Sequence, residues 1–244
     1  MSPPGYRGTV VAMDGYGGDQ IRAAERPHLD AGEPLMQRAA DGLARIVGDL
    51  LDDPAVRPGD GPGSVLLLVG SGDNGGDALF AGARLAAAGR HVAVLRVGSR
   101  VHEAGLAAAL DAGARPLDDP AGPEAVVTDA ALDADLVLDA ILGIGVQGPA
   151  ALRSPAREVV DAIRELARDQ RAPFVVAVDV PSGIDVDTGG IADDHVLHAD
   201  VTVTFGGVKA GLLTGPAATL AGRIELVDVG IGADLATMEP LVRT

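Results

Sequence analysis

The 244-residue sequence contains no cysteine and no tryptophan, and aromatic residues make up only 2% of it. Without cysteine there can be no disulfide, no thiolate zinc site and no thiol nucleophile. With so few aromatic rings, the core has to be packed by Ala, Val and Leu, in a chain that is 47% hydrophobic. Basic residues are scarce too: 19 Lys and Arg face 35 Asp and Glu, a formal net charge of −16. Nucleic acid and anionic membranes both require basic patches, so neither is expected as a partner. No apolar run reaches membrane-spanning length, and the opening MSPPGYRGTV lacks the charged and apolar blocks of a signal peptide. A cytoplasmic protein is the expectation.

What is present is organised around residues 64–90, SVLLLVGSGDNGGDALFAGARLAAAGR. Val65 to Val69 reads as a strand buried on both faces. Gly70 to Gly76 turn the chain, and from Asp77 the spacing becomes helical, with Gly89 where a C-cap belongs. Strand, Gly-rich turn and helix open a βαβ unit whose backbone N–H groups converge on one spot, suited to an anion. Gly70, Gly72 and Gly75 satisfy G-x-G-x-x-G, a weak signal by itself. The dinucleotide fingerprint expects an acidic residue about 20 positions on for a ribose hydroxyl, or a basic one for a 2′-phosphate. That region reads LRVGSR, with no carboxylate; Arg96 and Arg100 could meet an adenosine phosphate or be ordinary surface charge, and surface charge is the favoured reading. The turn itself holds Asp73, Asn74 and Asp77, and two carboxylates would repel a pyrophosphate unless they bind something else. Two readings remain: Asn74 as an N-cap with Asp77 completing a capping box, or a polar site for a cation plus a hydroxylated or phosphorylated ligand.

Along the rest of the chain, residues 1–15 look loose. A short helical pattern from Asp19 stops at Pro27, and Pro34 opens a second helix with an apolar stripe through Met36, Ala39, Leu43, Val47 and Leu50. Breaker-rich Asp52 to Gly63 links this layer to the sheet. Apolar runs at His91–Val97, Leu136–Leu138, Phe174–Val178, Val201–Phe205 and Ile224–Val229 alternate with helical patterns at Glu103–Ala112 and Glu158–Ala167. The expected fold is α/β: a Rossmann-like three-layer αβα sandwich with a mostly parallel central sheet and an N-terminal helical extension. One domain spans 1–244, with the helical layer at about 19–52, the linker at 52–63 and the sheet core at 64–232.

Ligands of an open parallel sheet bind outside the carboxyl ends of its strands. Three runs end there in polar residues. The first supplies Asp73, Asn74, Gly75, Gly76 and Asp77. The second supplies Asp139 and then Gly143, Ile144, Gly145, Val146, Gln147, Gly148 and Pro149. The third supplies Asp179, Val180, Pro181, Ser182 and Gly183. Carboxylates buried together must take up protons or hold a cation between them. Asn, Asp, Ser and carbonyl oxygens are hard ligands suited to a Group 1 or Group 2 cation.

Four ordered motifs, GSGDNGGDALFAGARLAAAG, LVLDAILGIGVQG, VVAVDVPSGIDVDTG and ADVTVTFGGVKAGLL, together with the PLMQRAADGLA helix, resemble the NAD(P)H-hydrate epimerase family (the YjeF N-terminal domain). The resemblance runs from about Asp19 to Val229. It implies a Rossmann-like homodimer that interconverts the R and S epimers of NADHX and NADPHX, the hydrated forms of NADH and NADPH. It implies one potassium ion per subunit, held by Asn74, Asp139 and Ser182. It implies substrate contacts from Asp73 through Asp77, from Gly143 through Pro149, and at Asp179. It also implies a functional partner, an ATP- or ADP-dependent dehydratase, either separate or fused in a longer product. The family usually carries Asn-Asn where this chain has Asp73-Asn74, which bears on phosphate contact and substrate preference more than on reaction type.

The substrate's reacting carbon bears a hydroxyl and is bonded to the ring nitrogen, so it is a hemiaminal. Inversion by loss and return of water, or by ring opening and reclosure, needs a general acid and a general base. Asp179 is expected as the main acid/base group, with Asp77 supporting it. No redox cofactor is required, since the nucleotide is the substrate. Competing functions are a non-catalytic nucleotide-binding scaffold of the same fold and an NADP-dependent oxidoreductase. Asp193, Asp194, His195, His198 and Asp200 read as a solvated connector in place of a metal site, Ser182 as a ligand or turn residue, and Lys209 as unassigned.

Overall fold

A computed structural model describes residues 13–119, 121–145, 148, 151–169 and 173–244. The chain enters through β1 (Asp14–Tyr16), α1 (Gly18–Asp30) and α2 (Leu35–Asp52). It continues through β2 (Ser64–Val69), α3 (Asp73–Ala87), β3 (His91–Arg96), α4 (Glu103–Asp111), β4 (Arg115–Pro116) and α5 (Val127–Leu132). There follow β5 (Leu136–Ala140), α6 (Ala156–Arg168), β6 (Phe174–Val178), β7 (Val201–Phe205), β8 (Val208–Lys209), β9 (Arg223–Val227), α7 (Gly232–Leu235) and β10 (Val242–Arg243).

Seven strands form one sheet in the order β4-β3-β2-β5-β6-β7-β9, parallel throughout. The strands are continuous apolar runs because both faces are covered. Val65, Leu67 and Val69 of β2 join Leu43, Val47 and Leu51 of α2 in one core. Leu66 and Leu68 point the other way, into a second core with Val127 of α5 and Ile163 of α6. Winding begins at β2, goes out through β3 and β4, then returns to β5 and continues to the far edge. The order therefore reverses between β2 and β5, and a crevice for a ligand opens above that pair. The turn after β2 and the loop after β5 both lie there.

Several boundaries depart from the sequence reading. α1 runs through Pro27 to Asp30 instead of stopping there. Pro27 lies on an exposed face, and the helix goes on because its carbonyl still accepts from the Ala31 N–H. α3 begins at Asp73, four residues before the helical spacing becomes visible, with Gly72 as N-cap. A small second sheet, β10-β1-β8, ties the start of the described chain to its end and was not foreseen. Residues 13–15, expected to be loose, belong to it or flank it. Among the described residues, no helix is long and apolar enough to cross a membrane.

Candidate active site

Gly72 caps α3 with extended backbone and no side-chain hydrogen bond, so Asn74 is not the cap. Asn74 is buried in the first turn of the helix, and its side-chain amide donates to the carbonyls of Leu142 (3.0 Å) and Val178 (2.6 Å). One side chain thus ties the exits of β5 and β6 to the start of α3. The glycines make that closeness possible. A Cβ on Gly70 would lie 1.8 Å from the Ile141 carbonyl oxygen, and one on Gly143 would lie 2.3 Å from Asn74 Oδ1. Gly72 and Gly145, by contrast, face open space.

Behind this bridge sits Asp139, 1% exposed. Its Oδ2 accepts from the Ser182 N–H (2.9 Å) and its Oδ1 from the Ser182 hydroxyl (2.6 Å). The Ser182 oxygen in turn accepts from the Leu142 N–H at 2.9 Å. Burial raises the Asp139 carboxyl above its ordinary range, and the bonds from Ser182 and Ile141 only partly offset this. Among the described residues, no Lys, Arg or His pairs with it. The donor set is oxygen only, with a single carboxylate lacking a cationic partner among the described residues, and that chemistry fits a hard Group 1 or Group 2 cation.

The open side of the bridge holds a different group of acids. Asp179 leaves β6 in the left-handed region, at φ +68°, the sole such non-glycine residue among those described. This backbone turn aims its Oδ1 at β7, where it accepts from the Thr204 hydroxyl (3.2 Å), the Phe205 N–H (3.1 Å) and the Lys209 ammonium. Lys209 is the only lysine in the sequence and is 1% exposed. It also donates to the Phe205 carbonyl at 2.8 Å. The ion pair is buried on both sides.

Asp77 is also buried, at 7% exposure, and has no hydrogen-bond partner among the described residues. Its pKa is pushed well above the ordinary carboxylate value, first by burial and then by the charges of Asp179 and Asp73. Glu25, half-buried on α1, is raised by burial and by Asp179 and Asp73, against the pull of Lys209. Asp73 itself is exposed at the helix start. The arrangement therefore sets Asp77, a carboxyl whose pKa is raised by burial, within electrostatic reach of Asp179, a carboxylate ion-paired with Lys209.

The loop after β5 forms its rim. Gly143 and Ile144 are half-buried and Gly145 is exposed. Gly148 has φ +75°, and a Cβ there would come 4.0 Å from Asp185 Oδ2. Val146, Gln147 and Pro149 lie outside the described residues.

The sequence family described as YjeF-related protein N-terminus matches residues 32–211. This chain belongs to that family. It is 49% identical, over 96% of its length and 97% of the relative's, to the NAD(P)H-hydrate epimerase of Clavibacter michiganensis subsp. michiganensis (strain NCPPB 382). It is 47% identical, over 97% of its length and 86% of the relative's, to the NAD(P)H-hydrate epimerase of Microbacterium testaceum (strain StLB037). The bifunctional NAD(P)H-hydrate repair enzyme Nnr of Mycobacterium tuberculosis (strain ATCC 25618 / H37Rv) is 43% identical over 93% of this chain, which covers 43% of that protein. The crystal structure of yeast ynu0 shares the fold, with a TM-score of 0.67 at 21% identity over 82% of this chain and 83% of that one.

In this YjeF-related chain the structure brings Asp73, Asn74, Asp77, Asp139, Asp179 and Ser182 to one stretch of the sheet edge. It splits them into two compartments on either side of the Asn74 bridge. Sequence reasoning read a helix from Asp19 but gave it no place in the site. Glu25 reaches the Asp179 cluster from that helix, and Arg22 Nη1 donates to the Ile144 carbonyl at 2.6 Å, pinning the rim loop. Nothing in their local pattern marks either residue. Asp185 was likewise passed over. Burial works to raise its carboxyl, but hydrogen bonds from Thr188 and Asp187 more than offset this and hold it below its ordinary value. The Asp193–Asp200 segment behaves as a connector: His195 pairs with Asp161 at 2.6 Å, and no three metal-ligating side chains cluster among the described residues.

Proposed function

We propose that this chain is an NAD(P)H-hydrate epimerase, acting on the hemiaminal carbon of NADHX and NADPHX. The observation that carries this reading is the burial of Asp77 within electrostatic reach of the Asp179–Lys209 ion pair. The Asp77 carboxyl, its pKa raised first by burial and then by the Asp179 charge, stands on the helix that starts from the strand-order reversal, and Asp179, ion-paired with Lys209, leaves β6 one strand beyond it.

In the dehydration route, Asp77 gives its proton to the substrate hydroxyl as the C–O bond breaks. The lone pair of the ring nitrogen forms the new C=N bond, and water departs. The Asp179 carboxylate stabilises the cationic ring, then takes a proton as water adds to the opposite face. One water leaves, one returns, and one proton moves from Asp77 to Asp179, so the exchange balances. Reaction in the other direction reverses the two roles. Lys209 fixes the orientation of Asp179. Asp73 through Asp77, Gly143 through Pro149 and Asp179 are the proposed substrate contacts, with the open faces at Gly72 and Gly145 admitting the diphosphate.

Asn74, Asp139 and Ser182 are the proposed ligands of one potassium ion per subunit. When bound, potassium would supply positive charge against the buried Asp139 carboxylate and near the diphosphate. A homodimer and a cytoplasmic location belong to the same proposal, as does a dehydratase partner. The bifunctional relatives, of which this chain covers 43%, support a second activity linked to this one. The nucleotide is substrate, with no redox cofactor, so absorbance of the reduced nicotinamide is expected to stay constant during incubation with reductants.

The deciding experiment is chromatographic separation of the NADHX epimers, with their interconversion followed with and without the protein. Interconversion no faster than the uncatalysed rate would sink the reading. Running the reaction in ¹⁸O-water separates the routes: dehydration incorporates one label per inversion, whereas ring opening retains the original oxygen.

A further inference from the structure

The carboxyl edge of the sheet holds a second hollow that the chemistry above does not use. A cavity of about 740 Å³ opens beyond the ends of β3 and β4, with Arg96, Ser99, Arg100, Glu103, Asp118 and Asp119 in its wall. It abuts the Gly-rich turn: the Arg100 N–H donates to Ser71 Oγ at 3.1 Å. A Cβ on Gly98 would come 2.4 Å from that same oxygen, so the loop after β3 is seated directly on the turn after β2.

Strand order sets the distance from this cavity to the acids. Going from β6, which delivers Asp179, to β3 crosses three strand spacings, roughly 14 Å at about 4.8 Å each. A dinucleotide laid along the edge with its hydrated ring at Asp179 places its diphosphate above the β2–β5 reversal. Its adenosine then falls at the ends of β3 and β4. The geometry points to this cavity as the seat of the adenosine end, and to Arg100 as the residue that takes a ribose 2′-phosphate, so that NADPHX is the preferred substrate. This deepens the epimerase function proposed above and rests on it.

Residue chemistry favours the phosphate over the ribose diol. A parallel sheet of this order reads the ribose at the end of its second strand, where a carboxylate accepts from the diol. Here that position is Arg96, and a guanidinium fork matches phosphate oxygens instead. Arg96 is already engaged, with Asp118 2.7 Å away. Arg100 is exposed and has no ion-pair partner among the described residues, so its fork is available. Glu103, Asp118 and Asp119 keep the hollow from being a general anion trap, and Glu103 and Asp119 offer acceptors to the adenine amino group and the remaining ribose hydroxyl.

The test compares kcat/KM for NADPHX and NADHX in the parent and in Arg100→Ala, with Arg100→Lys as the conservative variant and thermal midpoints as the folding control. The expected result is a preference for NADPHX in the parent. Arg100→Ala should lower the NADPHX-to-NADHX ratio roughly tenfold through KM, and Arg100→Lys should restore part of it. A parent without preference, or a ratio that stays within about twofold in Arg100→Ala, overturns the assignment. Calorimetric binding of adenosine 2′,5′-bisphosphate and of AMP separates this outcome from failure of the epimerase reading. If the parent turns over neither substrate yet binds the bisphosphate more tightly than AMP, and Arg100→Ala erases the difference, the cavity assignment stands alone. Equal binding of the two nucleotides overturns it.

Discussion

At the scale of single residues, Asp77 is kept in a form that favours reaction over stability. Its native pKa lies above the ordinary value of 3.8 because it is buried near other negative charges. The native state therefore binds the extra proton, and stability falls as pH rises from about 3.8 through the native value. Asp77→Asn removes that titration. The variant should melt higher than the parent at pH 7, with an advantage that shrinks toward pH 4, while epimerisation falls by roughly 10²-fold or more. A variant that melts lower at pH 7 would contradict this. Asp179 poses the opposite problem, since its backbone is left-handed and its charge neutralises a buried Lys209. Asn tolerates that backbone and Ala does not. Both substitutions leave Lys209 unpaired, at a cost of about 3–5 kcal/mol. Asp179→Ala should be the less stable of the two in denaturant titrations, and Asp179→Asn/Lys209→Met should regain stability without regaining activity.

At the scale of elements, the site depends on how closely three loop-bearing segments approach. A methyl group at Gly143 would occupy the space of Asn74 Oδ1. Gly143→Ala is expected to push the Asn74 amide off Leu142 and Val178, costing about 1–3 kcal/mol and most of the activity, as read by thermal unfolding and epimer chromatography. Arg22→Ala releases the Ile144 carbonyl from α1. With the rim loop as the proposed contact to the substrate away from the reacting carbon, it should raise KM more than it lowers kcat. Strand positions were readable from sequence because burial on both faces forces unbroken apolar runs. Phe174–Val178 and Val201–Phe205 coincide with β6 and β7. The start of α3 was not readable, because Asp73, Asn74 and two glycines look like loop residues until Gly72 is seen to cap them. Pro27 misled in the other direction: an exposed proline costs a helix one hydrogen bond without ending it. β1, β8 and β10 have two or three residues each, too few to show any period.

At the scale of the whole molecule, Asp139 is a buried carboxyl that no basic side chain among the described residues meets, and burial raises its pKa. Potassium is expected to raise the thermal midpoint relative to choline. At a hundredfold excess over Kd the gain is about 2.7 kcal/mol, roughly 5–10 °C for a chain of this size. Asp139→Asn should abolish the ion dependence without reference to activity, and an unchanged shift in that variant would remove the ion from Asp139. The sequence by itself determined the parallel sheet, the Gly-rich turn, the family and the acids offered at strand ends, because each of these is written in a local run of residues. Only the tertiary structure decided which acid is ion-paired and which has its pKa raised by burial, that the single lysine is buried against Asp179, and that α1 pins the rim. Those outcomes depend on burial and on contacts such as Lys209 with Asp179 and Arg22 with Ile144, 30 and 122 positions apart, which no local pattern encodes.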